Sequence, residues 1–585
     1  MNIRSLILFV SAVLISACSG KGPTAIGPVA VNLSPGTASV DIGGTQRFTA
    51  TVTGTAEADV TWALSGTGCV GDSCGTISDS GIYNAPDDPP SPATVTITAT
   101  SSFDPSKSAS AALTVTLTSN SGFSGKYGFL FNGFELSNVA VAIAGNFTAD
   151  GNGRVTGGTL DMNRGAGAQN VPITGGTYAF GADNRGRLSL ITPQETLFFR
   201  FAMNTPNPPS HNGRLICFQP GDLSRLTGAG VIKKQTPAAF SMSAFNGDFA
   251  AGFSGELNST NAVGAIGRFH LDGLGAINQG RMDLNLTGTS FSNVATTGTY
   301  TPIDPMTGRG TARVSFPAPI NQLNFTFYVV SATEALFVSA DTRDQTRPLL
   351  SGRVLKQSGG PFQPNSMTGT LVLNTTGLNA NGSEVTIGRF DANVATASLS
   401  GIVDKNEAGT IIASAAFTGT YDIAANGRGT LSSQVGASSR PYAFYMVDSN
   451  RAFLLESDAP EAAVGFIEAQ SGAPFTTASL SGDYVVGTAS PAECGCTSVS
   501  GVVSLNGSDG SFLGARDKSR PEGLVPRDSW AGTFAVPSGS GGRGTLTSTL
   551  PSTENSVLYV ISPNKVVLIN VDPMFYVSVV TTLEK

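Results

Sequence analysis

The sequence has little of what enzymes and nucleic-acid binders use. Its 585 residues include 2 His and 6 Cys. Nucleophilic catalysis by Ser or Cys draws on a neighbouring His base, and zinc sites draw on clustered His and Cys. His211 lies in a polar stretch beside Pro208-Pro209-Ser210, and His270 follows Phe269 on an alternating segment. Neither recurs elsewhere in the chain. Charged residues are 13% of the total, about half the usual share of about 25%. The formal net charge is -7 and the pI is near 5.1, which excludes the basic footprint of a nucleic-acid binder. Beyond the N-terminus, no apolar run approaches the roughly 18 residues of a membrane-spanning helix. What the chain does have is glycine, 71 residues of it, with 40% hydrophobics and a mean hydropathy of +0.08. That composition excludes a disordered chain. A mass of 59.7 kDa is too large for one core and predicts roughly three to six domains.

The first residues read as an export signal. Arg4 is followed by an apolar run from Leu6 to Ile15, then Ser16-Ala17-Cys18. A run of that length ending in small residues is a signal peptide, too short to span stably. Leu14-Ile15-Ser16-Ala17-Cys18 resembles the lipobox of bacterial lipoproteins. The resemblance implies that residues 1–17 are removed and that Cys18 carries the lipid. Ser19, rather than Asp, at the second mature position implies the outer membrane or cell surface, in bacteria that have an outer membrane. Several acyl chains on one residue make a stable membrane anchor. Residues 18–27 read as a linker.

Residues 28–117 show period-2 patterning. Phe48, Ala50 and Val52 alternate with Thr49, Thr51 and Thr53; Val95, Ile97 and Ala99 alternate with Thr94, Thr96 and Thr98. Turn residues such as Ser34-Pro35-Gly36 separate short strands, the pattern of an antiparallel β-sandwich. The segments Gly43-Gly44-Thr45-Gln46-Arg47-Phe48, Val60-Thr61-Trp62 and Gly81-Ile82-Tyr83-Asn84-Ala85-Pro86 resemble bacterial Ig-like domains of the second group. The resemblance implies a spacer or adhesion module with Trp62 as a core aromatic on a middle strand. Cys69 and Cys74 read as a short-loop disulfide, since an exported chain meets an oxidising compartment.

Four diverged repeats fill the remainder: residues 122–236, 240–358, 364–474 and 478–585. Asp161, Asp283, Asp404 and Asp517 each lie 16 residues after a recurring Gly, and a Gly-Thr-Tyr or Gly-Thr-Phe begins 15 residues further on. An Arg-Gly follows each: Arg185, Arg309, Arg428 and Arg543 with their next residues. The repeat is longer than a solenoid rung, so each unit reads as a complete domain. No segment has helical period. About eight hairpin-linked strands close most simply into an up-and-down barrel, with a sandwich as the alternative. The expected fold is therefore all-β throughout. In the third repeat Phe390, Tyr421, Phe444 and Met446 are expected to share one core. Linkers Gln357–Asn365 and Gln470–Thr477 mark seams.

The recurrent Asp161, Asp283, Asp404 and Asp517 are the strongest candidates for ligand contacts. Asn163, Asn285 and Asn406 follow two residues later in three repeats. Carboxylate and amide oxygens suit Ca²⁺ or a glycan. The structural alternative is that each Asp accepts backbone N–H bonds or pairs with the repeated Arg. Asp150-Gly151-Asn152-Gly153 has the start of a calcium loop but not its Glu, and reads as a hairpin turn. Cys217, Cys494 and Cys496 have no assignable pairing. These readings predict no catalytic residue, no metal and no cofactor. They predict a lipid-anchored envelope protein for adhesion or scaffolding. Its partners are expected to be the membrane, reached through the lipid, and a surface protein or glycan, with no nucleic acid. The rival reading is a carrier of small or glycan ligands in the barrel mouths, which requires a cavity of a few hundred Å³.

Overall fold

The computed structural model describes residues 25–135, 137–204, 212–217, 226–258, 261–286, 289–379, 381–435, 438–457, 462–490, 497–574 and 579–585. Cys18, His211, Cys494 and Cys496 lie outside them. The chain divides into two compact units, Met1–Thr116 and Leu117–Lys585. Among the described residues no helix is long and apolar enough to cross a membrane.

The first unit is built from three small sheets. The largest has the strand order Thr37–Asp41, Ser108–Thr116, Thr94–Ser101, Val60–Ser65. Its first pair runs parallel. The alternation along Thr94–Ser101 places Val95, Ile97 and Ala99 in the core with no exposure, as period-2 geometry requires. Trp62 departs from expectation. Its strand, Val60–Ser65, has a single neighbour and forms the sheet's edge. The indole is therefore half-buried, and its N–H donates to the Asp79 carbonyl at 3.2 Å. The fully buried aromatics are Phe48 and Tyr83. The Tyr83 hydroxyl donates to the Cys74 carbonyl at 2.6 Å, and Cys74 is disulfide-bonded to Cys69 across a Cα–Cα distance of 5.1 Å.

The second unit contains four closed antiparallel barrels, spanning residues 124–234, 247–356, 369–469 and 482–584. In barrels 2 to 4 eight strands follow one another around the circuit. Barrel 1 has the same path, with its fourth strand broken at Thr174 into Gln169–Ile173 and Gly175–Phe180; both pieces pair with Arg154–Asn163. Barrels, not sandwiches, form because consecutive hairpins leave the first and last strands free to pair and remove the sheet edge. Each barrel closes on its own apolar core. Leu323, Phe325, Phe327 and Val329 point into barrel 2. Phe390, Tyr421, Phe444 and Met446 share the core of barrel 3.

The Arg-Gly motif has a two-sided explanation. Arg points out of the barrel, and the following Gly faces in, beneath an aromatic ring in barrels 1 to 3 and beside Val536 and Leu558 in barrel 4. A Cβ on Gly310 would lie 2.4 Å from the Phe327 ring, and one on Gly429 would lie 2.0 Å from the Phe444 ring. Overpacking of that kind costs roughly 1–3 kcal/mol. Gly429→Ala should therefore lower the stability of barrel 3 by about that amount in urea denaturation of the full chain. An unchanged midpoint contradicts the packing role.

The barrels are not beads on a string. The first three strands of each face the late strands of the next, and apolar clusters fill the joints. Leu130, Ala142 and Ala144 of barrel 1 pack with Tyr328, Leu336 and Val338 of barrel 2. Ile266 of barrel 2 packs with Tyr445 and Phe453 of barrel 3. Val385 and Ile387 of barrel 3 pack with Tyr559 and Ile569 of barrel 4. Strands Gly482–Thr488 and Ser498–Asn506 of barrel 4 then pack against Thr196–Met203 and Asn212–Cys217 of barrel 1. The four barrels form a closed ring. A cavity of about 250 Å³ at its centre is lined by all four, including Asn132, Ser254 and Asn374 from the first strands of barrels 1 to 3 and Ala489 just after that of barrel 4.

Candidate functional site

The four recurrent aspartates are buried, each exposed by 2% or less. Each reaches the Arg-Gly arginine of the next barrel, not that of its own. Arg309 donates through Nε and Nη2 to Asp161 at 2.7 and 2.8 Å. Arg428 donates likewise to Asp283 at 2.8 and 2.6 Å, and Arg543 to Asp404 at 2.8 and 2.7 Å. Such bidentate pairs fix both distance and orientation. A tyrosine from the same next barrel completes each site. The hydroxyls of Tyr328, Tyr445 and Tyr559 donate to Asp161, Asp283 and Asp404 at 2.7, 2.7 and 2.5 Å.

The fourth site closes the ring with looser chemistry. Arg185 of barrel 1 donates through Nη1 to Asp517 of barrel 4 at 3.3 Å, while its Nε donates to Asp183 at 2.9 Å. Ala202 pairs with Arg185 across the ladder, in the place taken by Tyr328 opposite Arg309 in barrel 2.

Three of the aspartates share a local device. The strand opposite each carries a bulge, which breaks the ladder and aims one N–H inward. Asn293, Ser414 and Arg527 are left-handed there, with φ of 52, 50 and 49°. Their N–H groups donate to Asp283, Asp404 and Asp517 at 3.1, 3.0 and 2.9 Å.

The companion amides serve the same joints. Asn163, Asn285 and Asn406 donate to the carbonyls of Ser339, Glu456 and Asn570 in the following barrels at 2.8, 3.4 and 3.0 Å. Each junction adds a glutamine, of which Gln357 and Gln470 open the two seams read from the sequence. Gln235, Gln357 and Gln470 donate to Val329, Met446 and Val560 carbonyls at 2.7, 2.6 and 2.6 Å. These are joint residues, with their amide N–H groups committed to protein carbonyls.

Other candidates resolve locally. Asp150 accepts from the N–H groups of Asn152 and Arg154 at 2.7 and 3.0 Å, as a hairpin turn. His270 contacts Asp248 at 3.1 Å on the surface. Cys217 lies inside barrel 1, within its apolar core, and not on the face toward barrel 4. Among the described residues no group of three His, Cys, Asp or Glu side chains is placed to hold a metal ion.

The interiors differ between barrels along one inward row on the third strand. Barrel 1 has Leu160, Met162 and then Arg164 there; barrel 2 has Met282, Leu284 and Leu286. A void of about 30 Å³ lies inside barrel 2, among Phe253, Met282 and Phe327. Barrel 3 carries Val403, Lys405 and Glu407. Lys405 Nζ lies 2.5 Å from Glu384 and 3.2 Å from Glu407. Burial and then the Glu384 charge push the neighbouring Glu456 carboxyl up to about 7, despite Lys405 and Arg440. Barrel 4 carries Arg516, Lys518 and Arg520 and has a cavity of about 290 Å³.

No protein-family model matches the chain, and no curated protein matches it in sequence.

Breaking a buried pair by removing one partner costs about 3–5 kcal/mol, because the other charge is left without compensation. Asp404→Ala strands Arg543 and Tyr559 and should lower stability by about that much. Burial alone raises the Asp404 carboxyl, but Arg543, Tyr559 and the Ser414 N–H outweigh it and hold the group below its ordinary value. A depressed carboxyl stabilises the fold above the ordinary aspartate value of about 3.9 and loses that contribution as pH falls through the depressed value. The stability gap between wild type and Asp404→Asn should therefore be constant near neutrality and shrink below about pH 4. A gap that widens on acidification contradicts the assignment.

Proposed function

We propose that this chain is a non-enzymatic, lipid-anchored protein of the bacterial cell envelope. In this reading Cys18 carries the lipid and residues 28–117 are an Ig-like spacer. The four-barrel ring is the rigid body offered to the envelope or to a surface protein or glycan, for adhesion or scaffolding. The observation that carries the reading is where the recurrent polar residues go. Asp161, Asp283, Asp404 and Asp517 each face an arginine of an adjoining barrel. What the repeats keep in common therefore supports assembly of a stiff platform rather than a reaction. The Cys69–Cys74 disulfide suits an oxidising compartment. The parallel strand pair in the N-terminal unit is compatible with the Ig-like resemblance.

The anchor is tested by expressing wild type and Cys18→Ala in bacteria fed an alkyne-tagged fatty acid. Wild type is expected to carry the tag and to sediment with membranes. Cys18→Ala is expected to carry none and to leave the membrane fraction. A variant that stays tagged and membrane-bound overturns the anchored reading.

A further inference from the structure

The inward row of barrel 4 breaks the rule that barrel 2 follows throughout and barrel 1 follows as far as Met162, before Arg164 and a cavity of about 190 Å³. A barrel used only as a building block fills its interior with side chains. Here three successive inward positions are Arg516, Lys518 and Arg520, and a cavity of about 290 Å³ remains among them. Two acids answer them. Arg516 donates to Asp528 at 3.0 Å and to Glu554 at 3.3 Å, and Lys518 Nζ lies 2.7 Å from Asp528. Three cations thus face two carboxylates.

The surplus falls on specific atoms. The Arg520 side chain makes no ion pair or hydrogen bond among the described residues, and its Nε is buried without a partner. Trp530 lines the same cavity and is 3% exposed. Its indole N–H also has no acceptor, while Arg516 stacks over its ring at 4.7 Å. An unpaired buried donor costs roughly 1–3 kcal/mol. Burial, followed by the charge of Arg516, pushes the Lys518 ammonium below its ordinary value. The missing element is a set of acceptor oxygens carrying negative charge. The remaining walls mix apolar side chains, Val486, Val499, Leu546 and Leu568 among them, with the polar Thr488, Ser556 and Asn570.

We propose that the interior of barrel 4 is a binding site for a small organic anion. A carboxylate would be received by Arg520 and the Trp530 N–H, and a short hydrocarbon body by Val486, Val499, Leu546 and Leu568. Barrel 2 cannot share the site, because Met282, Leu284 and Leu286 occupy the corresponding row. The inference goes beyond the anchored-platform reading and is independent of the lipid.

The chain has two tryptophans, so Trp62→Phe leaves Trp530 as the sole indole reporter in the full-length protein. Hexanoate should change its emission saturably. Hexanamide, the same body without the charge, should bind at least tenfold more weakly. Arg520→Met in the same background should weaken hexanoate at least tenfold. Its melting temperature should stay close to the parent's, since Arg520 gives up no protein partner. An absent or non-saturating response to hexanoate overturns the proposal. So does equal binding of hexanamide, or unaltered affinity in Arg520→Met.

Discussion

The arrangement of the second unit depends on one contact made four times: a buried aspartate of one barrel held by the Arg-Gly arginine of the next. Its net contribution to stability need not be large. Desolvating both charges offsets much of their attraction, and apolar replacements of similar volume often do as well. The stabilising area lies in the apolar joints, such as Ile266 against Tyr445 and Phe453. What the ion pair adds is position. A planar guanidinium on a carboxylate tolerates little shift, and a tyrosine hydroxyl and a bulge N–H use the remaining acceptor sites at Asp283 and Asp404. A slipped joint would leave several buried polar groups unmet at once.

Nearer the ring axis, charges distinguish one joint from another. Lys233 of barrel 1 meets Glu334 of barrel 2 at 2.8 Å. At the corresponding place Glu468 of barrel 3 meets Lys565 of barrel 4 at 2.7 Å, with the signs exchanged. Seating barrel 4 beside barrel 1 in the place of barrel 2 would set Lys565 against Lys233. Like charges at a joint repel, and discrimination between similar partners rests on such penalties as much as on attraction. Four similar barrels are thereby given an order that matches their order in the chain.

Much of this was legible in the residues. Period-2 alternation, Leu323 to Val329 for example, gives the inward face, and the constant Gly-to-Asp spacing gives equivalent strands. The pairing of Asp with the recurrent Arg was one of the readings the sequence allowed. Its cyclic partner choice was not, because spacing along the chain measures position within a repeat and carries no information on which copy supplies the partner. A further signal was present in Tyr328, Tyr445 and Tyr559, each one residue after an inward Phe or Leu. A tyrosine out of phase with the core row marks an outward face that is nonetheless buried. Trp62 was misplaced for a different reason: alternation shows which side of a strand is apolar, not whether the strand has one neighbour or two. Barrel 4 was readable in principle, since Arg516, Lys518 and Arg520 occupy a row that is apolar throughout in barrel 2 and at its first two positions in barrel 1.

Ring closure between barrels 4 and 1 is the central claim, because no linker joins them and the contacting residues are 332 apart. A double-mutant cycle addresses it directly, using thermal or urea unfolding of Arg185→Gln, Asp517→Asn and the double variant. Residues that touch show coupling of about 0.5–3 kcal/mol, whereas distant ones add within roughly 0.3–0.5 kcal/mol. A closed ring predicts that the double variant is clearly more stable than the sum of the two single losses. Simple additivity of the two losses would contradict it.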